Sequence, residues 1–198
     1  MSPKYAPNEL WLEGVDGEDF QNMLISCVED CHTHSISTMV IHLTSFMENV
    51  EVTDVGLERI KKIVEVAEQK EIKLAFENLT TLEHLDAVFE KFSSPYVGFC
   101  YDSGHENCFA QGRDFLTKYG NKLVALHLHD NDGTCDQHLF PFSGTVNWKH
   151  IMDQINKLNY HGPLGFEFDA QFIDISKEYT ISEYLEKGIN MARSLLNI

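Results

Sequence analysis

The run LVALHLHDNDGTCDQH, from Leu123 to His138, is the one around which the other predicted elements of this chain can be arranged. It begins as an apolar run and ends rich in imidazoles and carboxylates. Side chains of a β-strand alternate between its two faces, so His127 and His129 share a face. Such buried polar groups need partners, and Asp136 and His138 follow in the next loop. Since histidine and carboxylate are ligands that divalent metals take, the stretch predicts a strand that ends in a metal site.

Length and charge restrict the class of protein. The chain has 198 residues, enough for one domain with a substantial core, so we expect a single domain over residues 1–198. Its formal charge of −16 repels nucleic acid and anionic membranes, which argues against both as partners. No apolar run is long enough to span a membrane. The first residues lack a signal-peptide pattern and the cysteines lack a zinc-finger spacing, so we expect a cytoplasmic protein.

Five apolar runs separated by helical patterns predict five strands. They are Thr38–Leu43, Ile72–Phe76, Tyr96–Tyr101, Leu123–His129 and Leu164–Phe168. Each run has a residue of metal-ligand type at or near its carboxyl end. These residues are His42, Glu77, Asp102, His127 and Glu167. The same kind of side chain therefore recurs at the same end of every predicted strand.

The alternation of strands and helices predicts parallel pairing through right-handed crossovers. An open doubly wound sheet and a (β/α) barrel both satisfy this pattern. In an open sheet only the strands at the switch point supply ligand groups, whereas every strand of a barrel ends at one mouth. All five predicted strands end in a ligand-type residue, which favours an α/β fold of the (β/α) TIM-barrel type. A closed barrel needs about 250 residues, so this barrel is expected to be truncated, with five strand-helix units.

The last predicted helix, over residues 181–196, has apolar residues at helical spacing. This periodicity predicts one buried side. We expect the inward residues to be Tyr184, Leu185, Ile189, Ala192 and Leu196.

The strand-end motifs resemble those of the xylose-isomerase-like barrel superfamily, which includes sugar isomerases and epimerases and the metal-dependent apurinic-site endonucleases. The motifs are Phe76-Glu77-Asn78, Tyr101-Asp102-Ser103-Gly104-His105, His127-Leu128-His129-Asp130-Asn131, Asp136-Gln137-His138 and Phe166-Glu167. Each motif alone is weak, but their order and spacing match across Thr38 to Glu167. The resemblance implies that the chain holds the family's last five of eight units. Either the barrel is truncated, or a second copy of the chain covers its opening as a homo-oligomer.

The same resemblance implies the site. The core ligands of a divalent metal would be Glu77, Asp102, His127 and Glu167. Carboxylates with one imidazole form a hard site that suits Mn²⁺, Mg²⁺, Co²⁺ or Zn²⁺. In the isomerases and epimerases, Glu77 and Glu167 would also be catalytic, one removing a proton next to the substrate carbonyl and the other returning it. Candidates for an additional metal or for substrate are His42, His105, His129, Asp136 and His138.

These expectations predict a metal-dependent isomerase or epimerase that acts on a sugar, a sugar phosphate or a polyol-derived ketose by proton transfer. One alternative is an endonuclease-like, metal-dependent phosphodiesterase, but that activity needs a basic DNA-binding face and the sequence shows none. Another alternative is a non-catalytic fragment that binds metal. Retention of metal without turnover of any sugar would favour that alternative.

Overall fold

The computed structural model describes residues 6–45, 50–80, 82–110, 112–168 and 179–198. The chain divides into two compact units, Met1–Cys100 and Tyr101–Ile198. The expectation of a single domain stays a prediction. None of the helices in the described residues is long and apolar enough to cross a membrane, and the cytoplasmic location also stays a prediction.

The first unit is built from parallel strands that alternate with helices. Its elements are a 3-10 helix (Pro7–Trp11), α1 (Val15–Thr33), β1 (Thr38–Ile41), α2 (Asp54–Lys70), β2 (Lys73–Glu77), α3 (Glu83–Lys91) and the start of β3 (Val97–Asp102). β2 lies between β1 and β3 and is parallel to both, with Thr38 opposite Lys73 and Leu74 opposite Val97. This arrangement confirms the predicted α/β class.

The sequence of α2 explains why this helix forms and which side it buries. Thr53 caps its first turn, since the side chain accepts a hydrogen bond from the Gly56 amide at 3.2 Å. Ile60, Ile63 and Val64 are buried along one stripe, because residues three and four apart share one face of a helix. Burial of each such side chain stabilises the fold by about 1.5–3 kcal/mol.

A single arginine fixes the segment ahead of α1. The side chain of Arg59, on α2, is buried at 5% exposure. Its guanidinium donates hydrogen bonds to four backbone carbonyls, those of Glu9, Leu10, Leu12 and Gly14. Because a buried cation is costly without acceptors, these bonds tie the amino-terminal segment to α2.

The second unit begins with the end of β3. It continues with α4 (Ser103–Phe109), α5 (Phe115–Tyr119), a 3-10 helix (Gly120–Lys122), β4 (Leu123–His127), α6 (Trp148–Lys157) and α7 (Ile181–Leu195). On α6, Ile151, Met152 and Ile155 are buried. Trp148 is also buried and donates its indole N–H to Asp130 at 2.9 Å.

The predicted fifth strand is shorter than expected. Among the described residues it is one parallel bridge, Leu128 to Phe166, with hydrogen bonds from Leu128 N to Gly165 O at 2.8 Å and from Glu167 N to Leu128 O at 3.2 Å. Gly165 approaches the Leu126 carbonyl so closely that a Cβ atom there would collide with it. Glycine weakens a strand. Here Gly165 permits the close approach of the two backbones, and among the described residues the strand pairing does not extend beyond the one bridge.

The orientation predicted for α7 is only partly correct. Tyr184 faces inward, where its ring lies 4.9 Å from that of Phe140 and 5.5 Å from that of Phe168. In contrast, Leu185, Ile189 and Leu196 are 56%, 52% and 69% exposed. The helix has apolar residues on two neighbouring sides, and the side that contains Tyr184 is the one that packs.

Candidate metal centre

The carboxylate of Asp102 is the centre of the polar cluster in the second unit. Asp102 ends β3 and caps α4, and its Oδ1 accepts a hydrogen bond from the His105 amide at 2.7 Å. The side chain is 0% exposed. A buried carboxylate requires compensating donors or a cation. The turn from β3 to α4 therefore places this carboxylate where hydrogen-bond donors or a cation can surround it.

Asp102 lies beside two more of the predicted metal ligands. Nδ1 of His127 is 3.1 Å from Oε1 of Glu167. One ligand atom each from Asp102, His127 and Glu167 lies within 4.8 Å of the others. Two carboxylates and one imidazole at this spacing are a donor set that fits a divalent cation such as Mn²⁺, Mg²⁺, Co²⁺ or Zn²⁺.

These three side chains differ in their exposure to solvent. Asp102 is fully buried, whereas the side chains of His127 and Glu167 are 21% and 34% exposed. A small molecule can therefore reach the donor set from the side of Glu167 and His127. The buried carboxylate is suited to holding an ion, and the accessible one is also suited to contacting a substrate.

A second group surrounds Asp136, which follows β4 in the polar loop. Its Oδ2 is 3.4 Å from Nε2 of His105 and 3.1 Å from Nε2 of His138, and its Oδ1 is 3.6 Å from Nε2 of His129. His129, Asp136 and His138 also meet the spacing for a metal. Together with Asp102, this brings seven of the nine predicted site residues into the second unit.

The charges in this second group are strongly coupled. Burial favours the neutral acid of Asp136, but hydrogen bonds from His105 and His138 outweigh it and hold the pKa of Asp136 below its usual range. The hydrogen bond to Asp136 raises the pKa of His138 to about 9, against the opposing effect of burial. Without a metal, His138 is therefore the cationic partner of Asp136 at neutral pH.

The other two predicted site residues, His42 and Glu77, lie in the first unit. Nε2 of His42 is 3.2 Å from Oε2 of Glu77, and the Glu77 side chain is buried. The structure therefore brings these two residues together as a histidine–carboxylate pair. Their roles as ligands, and that of Glu77 as a base, stay predictions from the sequence.

Two residues of the sequence motifs, Ser103 and Asp130, organise the second unit in ways that the sequence does not predict. The Ser103 hydroxyl donates to the His129 carbonyl at 2.8 Å and accepts from the His129 amide at 3.1 Å. Oδ1 of Asp130 accepts from the amides of Asn131 and Val146, and so holds the polar loop against α6. Both residues directly follow a ligand-type residue at a strand end, and that position was the available signal.

Comparisons with known proteins agree on the fold. The family described as xylose isomerase-like TIM barrel matches residues 6–195. An uncharacterised protein of Sinorhizobium fredii is 39% identical over 147 residues, which cover 71% of this chain and 47% of that protein. An uncharacterised protein of Methanocaldococcus jannaschii is 27% identical over 147 residues, covering 69% and 50%. The chain thus spans about half the length of the curated relatives it matches.

Solved structures resemble the chain over most of its length. A D-tagatose 3-epimerase-like protein is 22% identical with a TM-score of 0.69, covering 97% of this chain and 77% of the other. D-psicose 3-epimerase of Clostridium cellulolyticum, solved with D-tagatose, is 13% identical with a TM-score of 0.79, covering 98% and 75%. The IolI protein, solved with a zinc atom, is 14% identical with a TM-score of 0.78, covering 93% and 72%. The partial α/β fold of TIM-barrel type, predicted from the sequence, is thereby confirmed.

Proposed function

The chain belongs to the xylose isomerase-like TIM-barrel family, and we propose that it is a divalent-metal-dependent isomerase or epimerase. Its substrate would be a sugar, a sugar phosphate or a polyol-derived ketose, and its reaction a proton transfer next to the carbonyl. The observation that supports this most directly is the convergence of Asp102, His127 and Glu167 within 4.8 Å. Structural resemblance to proteins named as sugar epimerases points to the same chemistry.

Asp102, His127 and Glu167 would hold the ion. When bound, a divalent cation would polarise the substrate carbonyl and make the neighbouring C–H bond more acidic. Asp102 is buried and serves to hold charge, whereas Glu167 is open to solvent and can face a substrate. The zinc in the IolI structure is consistent with a metal at this kind of site.

Glu167 is the base that the geometry favours. Its backbone is held on both sides, by the bond from Glu167 N to Leu128 O at 3.2 Å and by the contact of His138 Nδ1 with Glu167 O at 2.6 Å. His127 lies 3.1 Å from its carboxylate. A carboxylate fixed in this way can take a proton from the carbon next to the carbonyl and release it again. Glu77 as the second base stays a prediction from the sequence.

The substitution Glu167→Gln tests the proposal. It removes the base but keeps the shape of the side chain, so exchange of the substrate C–H proton should fall by about 10²- to 10⁴-fold. The measurement is deuterium incorporation into a panel of ketoses and ketose phosphates by NMR, with each of Mn²⁺, Mg²⁺, Co²⁺ and Zn²⁺ supplied. Elemental analysis of the purified protein accompanies it.

The matched control is Glu186→Gln, which removes the same charge from an exposed position on α7. It should exchange protons at the wild-type rate. Exchange by Glu167→Gln at that same rate would exclude Glu167 as the base. Metal retention by the wild-type chain without exchange on any sugar would instead support a non-catalytic metal-binding fragment.

A further inference from the structure

His129 makes contacts in the second unit that its position in the sequence does not predict. The residue is 0% exposed, and its Nε2 lies 3.1 Å from Oδ1 and 3.2 Å from Oδ2 of Asp102. One ring nitrogen thus spans both oxygens of a carboxylate that is itself buried. A hydrogen bond shared between two oxygens opposes rotation of the carboxylate.

The second ring nitrogen indicates where the proton lies. Within the part of the chain that the structure describes, Nδ1 of His129 has no hydrogen-bond partner. A buried N–H group without an acceptor is costly, so the proton belongs on Nε2, which donates it to Asp102. A protonated ring nitrogen has no lone pair for a metal. In this tautomer Nε2 therefore serves Asp102 and does not ligate an ion.

The imidazole is fixed by its neighbours as well as by Asp102. The ring of His138 stacks on it, with centroids 4.0 Å apart and an angle of 4° between the planes. Gly104 lies against its Cε1–Nδ1 edge, where a Cβ atom would collide with the ring. Ser103 holds the His129 backbone through two hydrogen bonds. The ring therefore has little freedom to turn toward any other partner.

We propose that His129 is a positioning residue that orients the Asp102 carboxylate for the metal ion, without itself contacting the ion or the substrate. The inference rests on the metal-dependent function proposed above. Outer residues that hydrogen-bond to metal ligands fix the orientation of those ligands, and their loss typically lowers metal affinity by about 10- to 100-fold. Asp102 is the ligand in question here, because its atoms lie within 4.8 Å of donors on both His127 and Glu167.

The test compares His129→Leu with His129→Gln by titration of the metal-free protein with Co²⁺, followed by visible absorption. Leucine removes the donor, so Co²⁺ affinity should fall by about 10- to 100-fold. The amide nitrogen of glutamine can donate to Asp102, so His129→Gln should bind within a few-fold of wild type and give the wild-type spectrum. Circular dichroism establishes that each variant is folded.

Gly104→Ala provides an independent second variant. It leaves every polar group in place but forces the His129 ring to move. We therefore expect weaker Co²⁺ binding. Helix propensity would not explain such a loss, because alanine favours a helix more than glycine does. In the metal-free wild-type protein, long-range ¹H–¹⁵N NMR spectra should show the His129 proton on Nε2.

Three results would overturn the inference: wild-type affinity in His129→Leu, affinity as low in His129→Gln as in His129→Leu, or a proton on Nδ1. The second of these would make the imidazole itself a ligand. Failure of the wild-type chain to bind Co²⁺, Mn²⁺ or Zn²⁺ would count against the proposed function instead. The NMR result would still decide the His129 geometry, since it requires no metal.

Discussion

At the scale of single residues, Asp102 shows what sequence reasoning predicts and where it stops. Its residue type and its place at a strand end predict a metal ligand, and the structure brings it together with His127 and Glu167. Binding of a metal by Asp102 stays a prediction. Its dependence on His129 could not be predicted, because alternation along a strand gives only the face of a side chain. Which partner His129 meets depends on a glycine and a serine that follow a different strand.

A second residue-scale consequence concerns Cys108, which lies half-buried on α4. Burial, reinforced by the negative charges of Asp136 and Asp102, raises the pKa of its thiol to about 12. Since the thiolate is the nucleophile, only about one thiol in ten thousand is reactive at pH 8. Iodoacetamide should therefore label the exposed Cys135 first. The Cys108 rate should rise about tenfold per pH unit between about pH 7 and 9.

Peptide mass spectrometry at timed intervals measures both cysteines in one sample. The control is the same chain unfolded in urea, where burial is lost and the two thiols should react at similar rates. Equal labelling of Cys108 and Cys135 in the folded protein would contradict the burial of Cys108.

At the scale of elements, largely apolar runs predict the strands to within a few residues. β2 and β3 are such runs, and their carboxyl ends hold Glu77 and Asp102 as expected. The run from Leu164 to Phe168 is equally apolar, but among the described residues it forms one bridge, next to Gly165. Local composition thus predicts that a segment is extended. The number of residues that pair in the sheet depends on the neighbouring strand.

α7 shows the same limit for helices, and a pair of variants tests it. Leu195 is 1% exposed and Leu185 is 56% exposed. Leu195→Ala should lower the free energy of unfolding by about 2–5 kcal/mol, because it leaves a cavity. Leu185→Ala should change it by no more than about 0.5 kcal/mol. Urea denaturation followed by circular dichroism measures both.

The helical apolar pattern predicts Leu185 as an inward residue and does not include Leu195, which is the reverse of what the structure shows. Equal losses for the two variants would show that the helix is turned differently. A loss for Leu185→Ala that grows with protein concentration would show that a second copy of the chain covers this side of α7, as a homo-oligomer.

At the scale of the whole molecule, the net charge of −16 separates the proposed function from the phosphodiesterase alternative. Duplex DNA carries a dense negative charge, and binding to it depends on basic side chains that displace its counterions. We expect no saturable change in the fluorescence anisotropy of a labelled DNA duplex at about 50 mM salt, where such binding is strongest.

The same titration at about 200 mM salt is the control for electrostatic attraction. Tight binding at low salt that weakens at high salt would reverse the conclusion and restore the phosphodiesterase as a candidate.

The arginine that holds the amino-terminal segment also sets a boundary for any shortened version of this protein. A chain that begins after Gly14 would lose all four carbonyl acceptors of Arg59 at once. Water would then have to replace these four hydrogen bonds, because the segment that covers the guanidinium would be gone. Deletion of this short irregular segment would also remove packing from α2, because Leu10 and Trp11 are buried and the Trp11 ring lies against Gly56.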